Sequence, residues 1–297
     1  MRNWDIGGRC ERVPINPIGM IDSHVHFWNP ELLRYAWLDE LAQLNRPFLP
    51  QNFQEASAGA GLTGFIFVES GCAASQSLAE IDWISAWAKS EPRLRGIVAH
   101  APVERGEVIR DSLAALARRP LVKGVRRLLQ GETRPEFCLR PEFIAGVKSL
   151  ADYRFTFDLC IRWEQLREVT ELVRRVPEVR FVLDHFGKPP VRDGIIAPWA
   201  AQIKALAGLP NVSCKVSGLT TEADWQTWQP GQLQPYFQVV LEAFGDDRLL
   251  FGGDWPVSTL ATDYQRWVDT VVDWMADGTD AGRKKLFQSN AERFYSL

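Results

Sequence analysis

With 297 residues, a formal net charge of −3, 46% apolar and 24% charged side chains, the chain has ordinary globular composition and enough apolar mass for a sizeable core. The balance excludes the basic face that a nucleic-acid backbone requires, and no cationic run suits an anionic membrane surface. No stretch reaches the ~18 consecutive apolar residues of a membrane span.

Residues 1–19 carry Arg2, Asp5, Arg9 and Arg12 with no apolar h-region, so an N-terminal arm is expected there rather than a signal peptide. Apolar runs of strand length follow at 20–26, 64–70, 94–100, 122–129, 155–161, 179–185, 211–217 and 249–254. Helical patterns lie between them. Residues 77–90 place Leu78, Ile81, Ile84 and Trp87 three apart. Others fall at 106–118, 141–152, 164–175, 198–207, 232–244, 263–276 and 280–293. Pro120, Pro177 and Pro210 each follow a helical run and stop it before the next strand. Eight strand–helix alternations predict an α/β fold, a single-domain (β/α)₈ TIM barrel over 20–297. An open doubly wound sheet would show a glycine-rich phosphate turn after the first strand, where this chain has His26-Phe27-Trp28-Asn29-Pro30.

The five cysteines, Cys10, Cys72, Cys138, Cys160 and Cys214, are odd in number and widely spaced, with no C-x-x-C pair. Neither a disulfide framework nor a thiolate zinc site is expected, and a cytoplasmic setting fits.

Chemistry in such a barrel gathers at the carboxyl ends of the strands. All four histidines are expected there: His24 and His26 on the first strand, His100 on the third and His185 on the sixth. Spacing of i, i+2 puts His24 and His26 on one face, and Asp22 shares that parity one step deeper, where it would orient a histidine. His185 closes Val-Leu-Asp-His-Phe-Gly-Lys-Pro. Asp184, of opposite parity, is expected to pin loop or helix backbone. Asp254 ends Leu-Leu-Phe-Gly-Gly-Asp-Trp-Pro, where a carboxylate facing histidines suits a general base, or alternatively a helix N-cap. A core reading of a lone histidine is ordinary; four at strand ends favour function.

The stretches Ile21-Asp22-Ser23-His24-Val25-His26-Phe27-Trp28, Gly124-Val125-Arg126-Arg127, Leu183-Asp184-His185-Phe186-Gly187-Lys188-Pro189 and Phe251-Gly252-Gly253-Asp254-Trp255-Pro256 together resemble the amidohydrolase superfamily from Met20 onward. They are most similar to its small lactone hydrolases, a branch with L-fuconolactonases, L-rhamnonolactonases and hydrolases of 2-pyrone-4,6-dicarboxylate and 4-sulfomuconolactone. Binuclear members of the superfamily carry a carbamylated lysine on a middle strand. Here the fifth strand reads Phe157-Asp158-Leu159-Cys160, so a bridged two-metal site is not expected. Either no metal or one divalent ion, zinc by its liking for nitrogen and oxygen donors, would sit among His24, His26, His185 and Asp254.

The resemblance implies hydrolysis of a sugar-acid lactone, with Asp254 activating water and His24, His26, His185 and Arg126 meeting the developing oxyanion. Arg126 and Arg127 are adjacent on a strand, so only one faces inward. Gln130, Arg162, Lys188, His100, Trp28, Arg127 and Trp255 are the candidates for holding substrate. A metal-dependent decarboxylase and a silent sugar-binding barrel are the alternatives. Oligomeric state is not legible.

Overall fold

The computed structural model describes residues 19–297. The arm expected over 1–19 lies, but for Gly19, outside the described residues. Eight parallel strands run in chain order: β1 (Met20–Val25), β2 (Leu62–Val68), β3 (Leu94–His100), β4 (Val122–Arg126), β5 (Thr156–Leu159), β6 (Phe181–Leu183), β7 (Val212–Val216) and β8 (Leu249–Phe251). The ring is drawn shut by main-chain bonds from β1 to the turn after β8: Asp254 N to His24 O at 2.9 Å and His26 N to Trp255 O at 2.7 Å. The result is the expected (β/α)₈ barrel.

Helices cover the outside: α1 (Pro50–Ala56), α2 (Ser77–Trp87), α3 (Arg110–Ala117), α4 (Pro141–Ser149), α5 (Leu166–Arg175), α6 (Ala197–Ala207), α7 (Pro230–Phe244) and α8 (Tyr264–Trp274), with α9 (Asp280–Lys284) and α10 (Asn290–Tyr295) closing the described chain. Strand alternation sorts the apolar side chains into two bodies. Phe65 and Phe67 of β2 point out, into the large cluster between strands and helices, with Phe27 and Phe53. Ile66 and Val68 point in. They meet Ile21, Val98, Val182 and Leu250, and Phe294 and Tyr295 of α10 plug that end of the barrel. Strands buried on both faces read as nearly continuous apolar runs, which is why the sequence shows them so plainly.

Several strands stop short of their expected ends. β4 ends at Arg126, β6 at Leu183 and β8 at Phe251, against the expected 129, 185 and 254. Beyond β6 four successive residues, His185, Phe186, Gly187 and Lys188, take left-handed φ values of 51 to 68°. Beyond β8 Asp254 does the same at φ 53°. Non-glycine residues avoid this region, and sites are where such strain concentrates.

Candidate active site

The carboxyl ends of the strands surround a cavity of about 490 Å³ whose wall includes His26, Arg126, His185, Lys188 and Asp254. Three imidazoles converge on one carboxylate oxygen. Asp254 Oδ1 lies 3.8 Å from His24 Nε2, 3.6 Å from His26 Nε2 and 3.8 Å from His185 Nε2. The imidazoles of His24, on β1, and His26, just beyond it, face each other with Nε2 atoms 3.1 Å apart. All four side chains are buried.

Each is held from behind. His26 Nδ1 donates to Val68 O at 2.8 Å, which leaves its Nε2 with a free lone pair. His185 Nδ1 is 2.9 Å from Ser217 Oγ. Gly218 lets that turn approach: a Cβ there would stand 2.5 Å from His185 Nδ1 and 3.1 Å from Asp254 Oδ2, and its φ is +61°. His24 Nδ1 faces Lys215 Nζ at 3.1 Å and Asp184 Oδ1 at 3.4 Å.

Two sequence expectations about parity are corrected. Asp184 does not pin loop backbone. Val182 points into the barrel, so two residues on Asp184 does too, and it bonds Arg126 Nη1 at 3.2 Å and lies 3.0 Å from Lys215 Nζ. His185 has the outward parity and reaches the cavity only because its own φ is left-handed. Asp22, in turn, does not share a face with His24. The pairing of β1 with β2 slips between Asp22 and Val25, so the alternation breaks there. Asp22 accepts from His24 N and Gly253 N, both at 2.9 Å, and from Tyr264 Oη of α8 at 2.9 Å. It clamps the site's backbone and touches no imidazole ring.

Below the histidines lies a layer that sequence reading missed. Lys215 of β7 donates to Asp158 of β5 at 2.5 Å, and Arg126 Nε donates to Glu69 Oε1 at 2.7 Å. Arg126 Nη2 also reaches Glu69 O at 2.6 Å. Two cations thus face three carboxylates, Glu69, Asp158 and Asp184, all buried. A signal was present: one charged residue inside an apolar strand run, as in Ser-Cys-Lys-Val and Thr-Phe-Asp-Leu, must be paired or exposed.

The remaining candidates divide. Arg126 faces inward. Arg127 faces out, 3.2 Å from Glu104 and 2.6 Å from Glu132, so the structure does not bring it to the cavity. Trp28 lines the cavity beside Trp37. Trp255 does not; it packs among Phe27, Phe48 and Phe53, as helix-backed aromatic core. Gln130 and Lys188 join across the mouth, Lys188 Nζ donating to Gln130 Oε1 at 2.5 Å. Arg162 is exposed on an adjoining groove that shares Lys188 and Thr221 with the cavity. His100 ends β3 half-buried, opposite Arg126 in register, and is not part of the cavity wall.

Charge states follow from burial and neighbours. Desolvation lowers His185 to about 4 against the pull of Asp254, so its imidazole is neutral at pH 7. Burial and the Lys215 cation likewise push His24 well down. Burial would raise Asp254, but the facing imidazoles, His185 foremost, outweigh it and hold the carboxyl below its usual range. Neutral His24 and His185 beside an ionised carboxylate are in the protonation state that metal ligation needs. Ligands 2.0–2.1 Å from a tetrahedral zinc stand roughly 3.4 Å apart. The 3.1–3.8 Å separations here match that spacing. His24, His185 and Asp254 bring ligand atoms within 4.8 Å of one another, so these residues fit a divalent ion.

A second cavity, of about 450 Å³, opens at the amino ends of β6 to β8. Its Arg180, Arg248 and Arg293 donate to backbone carbonyls, and no comparable convergence of groups occurs there.

The amidohydrolase family profile matches residues 21–297. The chain belongs to the amidohydrolase family. This amidohydrolase is 31% identical over 289 residues to an L-fucono-1,5-lactonase of Burkholderia multivorans, covering 93% of the chain and 96% of the relative. It is 25% identical to an L-rhamnono-gamma-lactonase of Scheffersomyces stipitis over 69% of each protein. Among solved structures it resembles a Burkholderia multivorans amidohydrolase with bound zinc, at a TM-score of 0.86 and 31% identity, covering 94% of this chain and 99% of that one. Among the described residues no helix is long and apolar enough to cross a membrane, and Cys72, Cys138, Cys160 and Cys214 are free.

Proposed function

We propose that this amidohydrolase opens a sugar-acid lactone of the L-fucono- or L-rhamnonolactone kind to its hydroxy acid. The observation that carries the proposal is the convergence of His24, His26 and His185 on Asp254 Oδ1 at the floor of a cavity that Arg126 also lines. The lactonases to which the chain is similar supply the substrate class.

Asp254 is ionised across the neutral range and faces the cavity, so it accepts a proton from water as that water attacks the lactone carbonyl. A carboxylate held this acidic is a weak base, and the water needs help from its surroundings. A divalent ion held by His24, His185 and Asp254, with His26 as a further ligand, would acidify the water and polarise the carbonyl. Of the five N–H groups of Arg126, three are engaged by Glu69 and Asp184 and a fourth, on Nη1, faces His24 Nε2 at 3.4 Å, which leaves one on Nη2 for the oxygen that gains charge. Collapse breaks the ring C–O bond, and the proton on Asp254 passes to the leaving alkoxide. Trp28 and Trp37 offer aromatic faces to the ring, while Gln130 and Lys188 meet its hydroxyls at the mouth.

Turnover of a panel of aldonolactones, followed with a pH indicator on chelated protein with and without added zinc, tests the reading. Acid release from at least one lactone is expected. Carbon dioxide release from aromatic acids instead, or lactone binding with no turnover under either condition, would overturn it.

A further inference from the structure

Lys215 has no part in the mechanism above, yet it is fully buried and its ammonium lies 3.1 Å from His24 Nδ1. Every contact of the His24 ring can be sorted by what it asks of the proton. At Nδ1 the shorter contact is Lys215 Nζ, a donor with no lone pair to offer. At Nε2 the shorter contact is His26 Nε2 at 3.1 Å, an acceptor because His26 Nδ1–H is committed to Val68 O. These two contacts agree. They place the proton on Nε2 and leave Nδ1 to accept. The two contacts at 3.4 Å agree on the opposite arrangement, while Asp254 Oδ1, at 3.8 Å from Nε2, sides with the first. Asp184 Oδ1, at 3.4 Å from Nδ1, is an acceptor, and Arg126 Nη1, at 3.4 Å from Nε2, is a donor. Asp184 Oδ1 is also buried without an aligned hydrogen bond, although Lys215 Nζ is only 3.0 Å away. The second tautomer would satisfy it.

We propose that Lys215 is a positioning residue that sets the tautomer of His24: by donating to Nδ1 it places the ring proton on Nε2, facing His26, and His24 becomes a metal ligand only when that proton moves to Nδ1 and turns to Asp184. The partner of one ring nitrogen decides what the other can do. In the resting arrangement His24 Nε2–H is held by His26 Nε2, so neither nitrogen is open to an ion until that proton leaves. Binding of an ion by His24 is thereby coupled to the choice between a lysine and an aspartate behind the ring. This deepens the lactonase reading, but the tautomer is read without substrate, so either can fail alone.

The test is a long-range ¹H–¹⁵N correlation spectrum of the full-length protein labelled at its four histidines, first chelated and then with zinc alone, with the His24 signals assigned by loss in His24→Gln. The expected chelated spectrum shows His24 protonated on Nε2; zinc moves the proton to Nδ1. An Nδ1–H tautomer in the chelated protein would overturn the proposal. So would zinc that shifts His26 and His185 while His24 keeps its Nε2 proton. Lys215→Met and Lys215→Gln remove the same charge, but only the glutamine retains an N–H donor. The methionine variant should show Nδ1–H and the glutamine variant Nε2–H; identical tautomers in both would also overturn it. The wild-type spectra decide the matter even if neither variant folds.

Discussion

The interior of the barrel is built in two unlike halves. At the amino ends of the strands Ile21, Ile66, Val98, Val182 and Leu250 pack against Phe294 and Tyr295, with no charge among them. At the carboxyl ends the same inward positions hold Arg126, Asp158, Asp184 and Lys215 beneath His24, His26 and Asp254. Tyr295 marks the border: its ring belongs to the apolar plug and its hydroxyl donates to Asp158 at 3.2 Å. The apolar half gains from burial alone and tolerates small changes of shape. The ionic half gains only if every charge keeps its partner, because a buried charge left alone is costly. Stability can therefore rest on the first half and reactivity on the second.

The sharpest break between the halves is Asp254→Asn. Turnover of the lactone should fall by ~10²–10⁴-fold, the ordinary share of a general base, while the thermal midpoint hardly moves. A folded variant with near-normal kcat would remove Asp254 from the reaction. Next comes Arg126→Met. It strands Glu69 and Asp184, which Arg126 meets at 2.7 and 3.2 Å, and should cost about 3–5 kcal/mol in denaturant unfolding as well as most activity. Ile66→Val in the apolar half is its counterpart: about 1 kcal/mol of stability and an unchanged kcat. Equal losses from the two would mean that the ionic layer is not the costly one to disturb.

Gly218→Ala tests the fit of the upper half without removing a charge. Its Cβ would meet His185 Nδ1, so kcat should drop by on the order of 10²-fold through misplacement of the imidazole. Retained activity would show that the turn has slack. The smallest effect is expected from Glu80→Gln. Burial, with repulsion from Glu69, raises Glu80 to about 8, so it is protonated at pH 7 and glutamine replaces it closely. Because the folded value is raised, the stability that Glu80 contributes is full below its ordinary 4.5 and is lost as pH rises through about 8. Thermal midpoints measured from pH 6 to 9 should fall less steeply for Glu80→Gln than for wild type. Parallel curves would place the ionisation elsewhere.

What could be read in advance was whatever depends on period and local chemistry. Eight apolar runs alternating with helical patterns specify a barrel, because strands buried on both faces cannot help but look apolar. His24, His26, His185 and Asp254 stood out because strand ends of a barrel face one mouth. Three things were settled only in three dimensions. The slip in β1 turned Asp22 away from His24, and no local pattern announces a register slip set by the neighbouring strand. The left-handed run from His185 to Lys188 turned two adjacent residues, Asp184 and His185, to the inside of the barrel against strict alternation, His185 to the cavity and Asp184 to the layer beneath it. The pairing of Lys215 with Asp158 and Asp184, and of Arg126 with Glu69, joins residues 31 to 57 positions apart across the barrel. One charged residue in an apolar strand demands a partner, but which one answers is decided by barrel closure, since charges meet through space and sequence distance places no bound on that meeting.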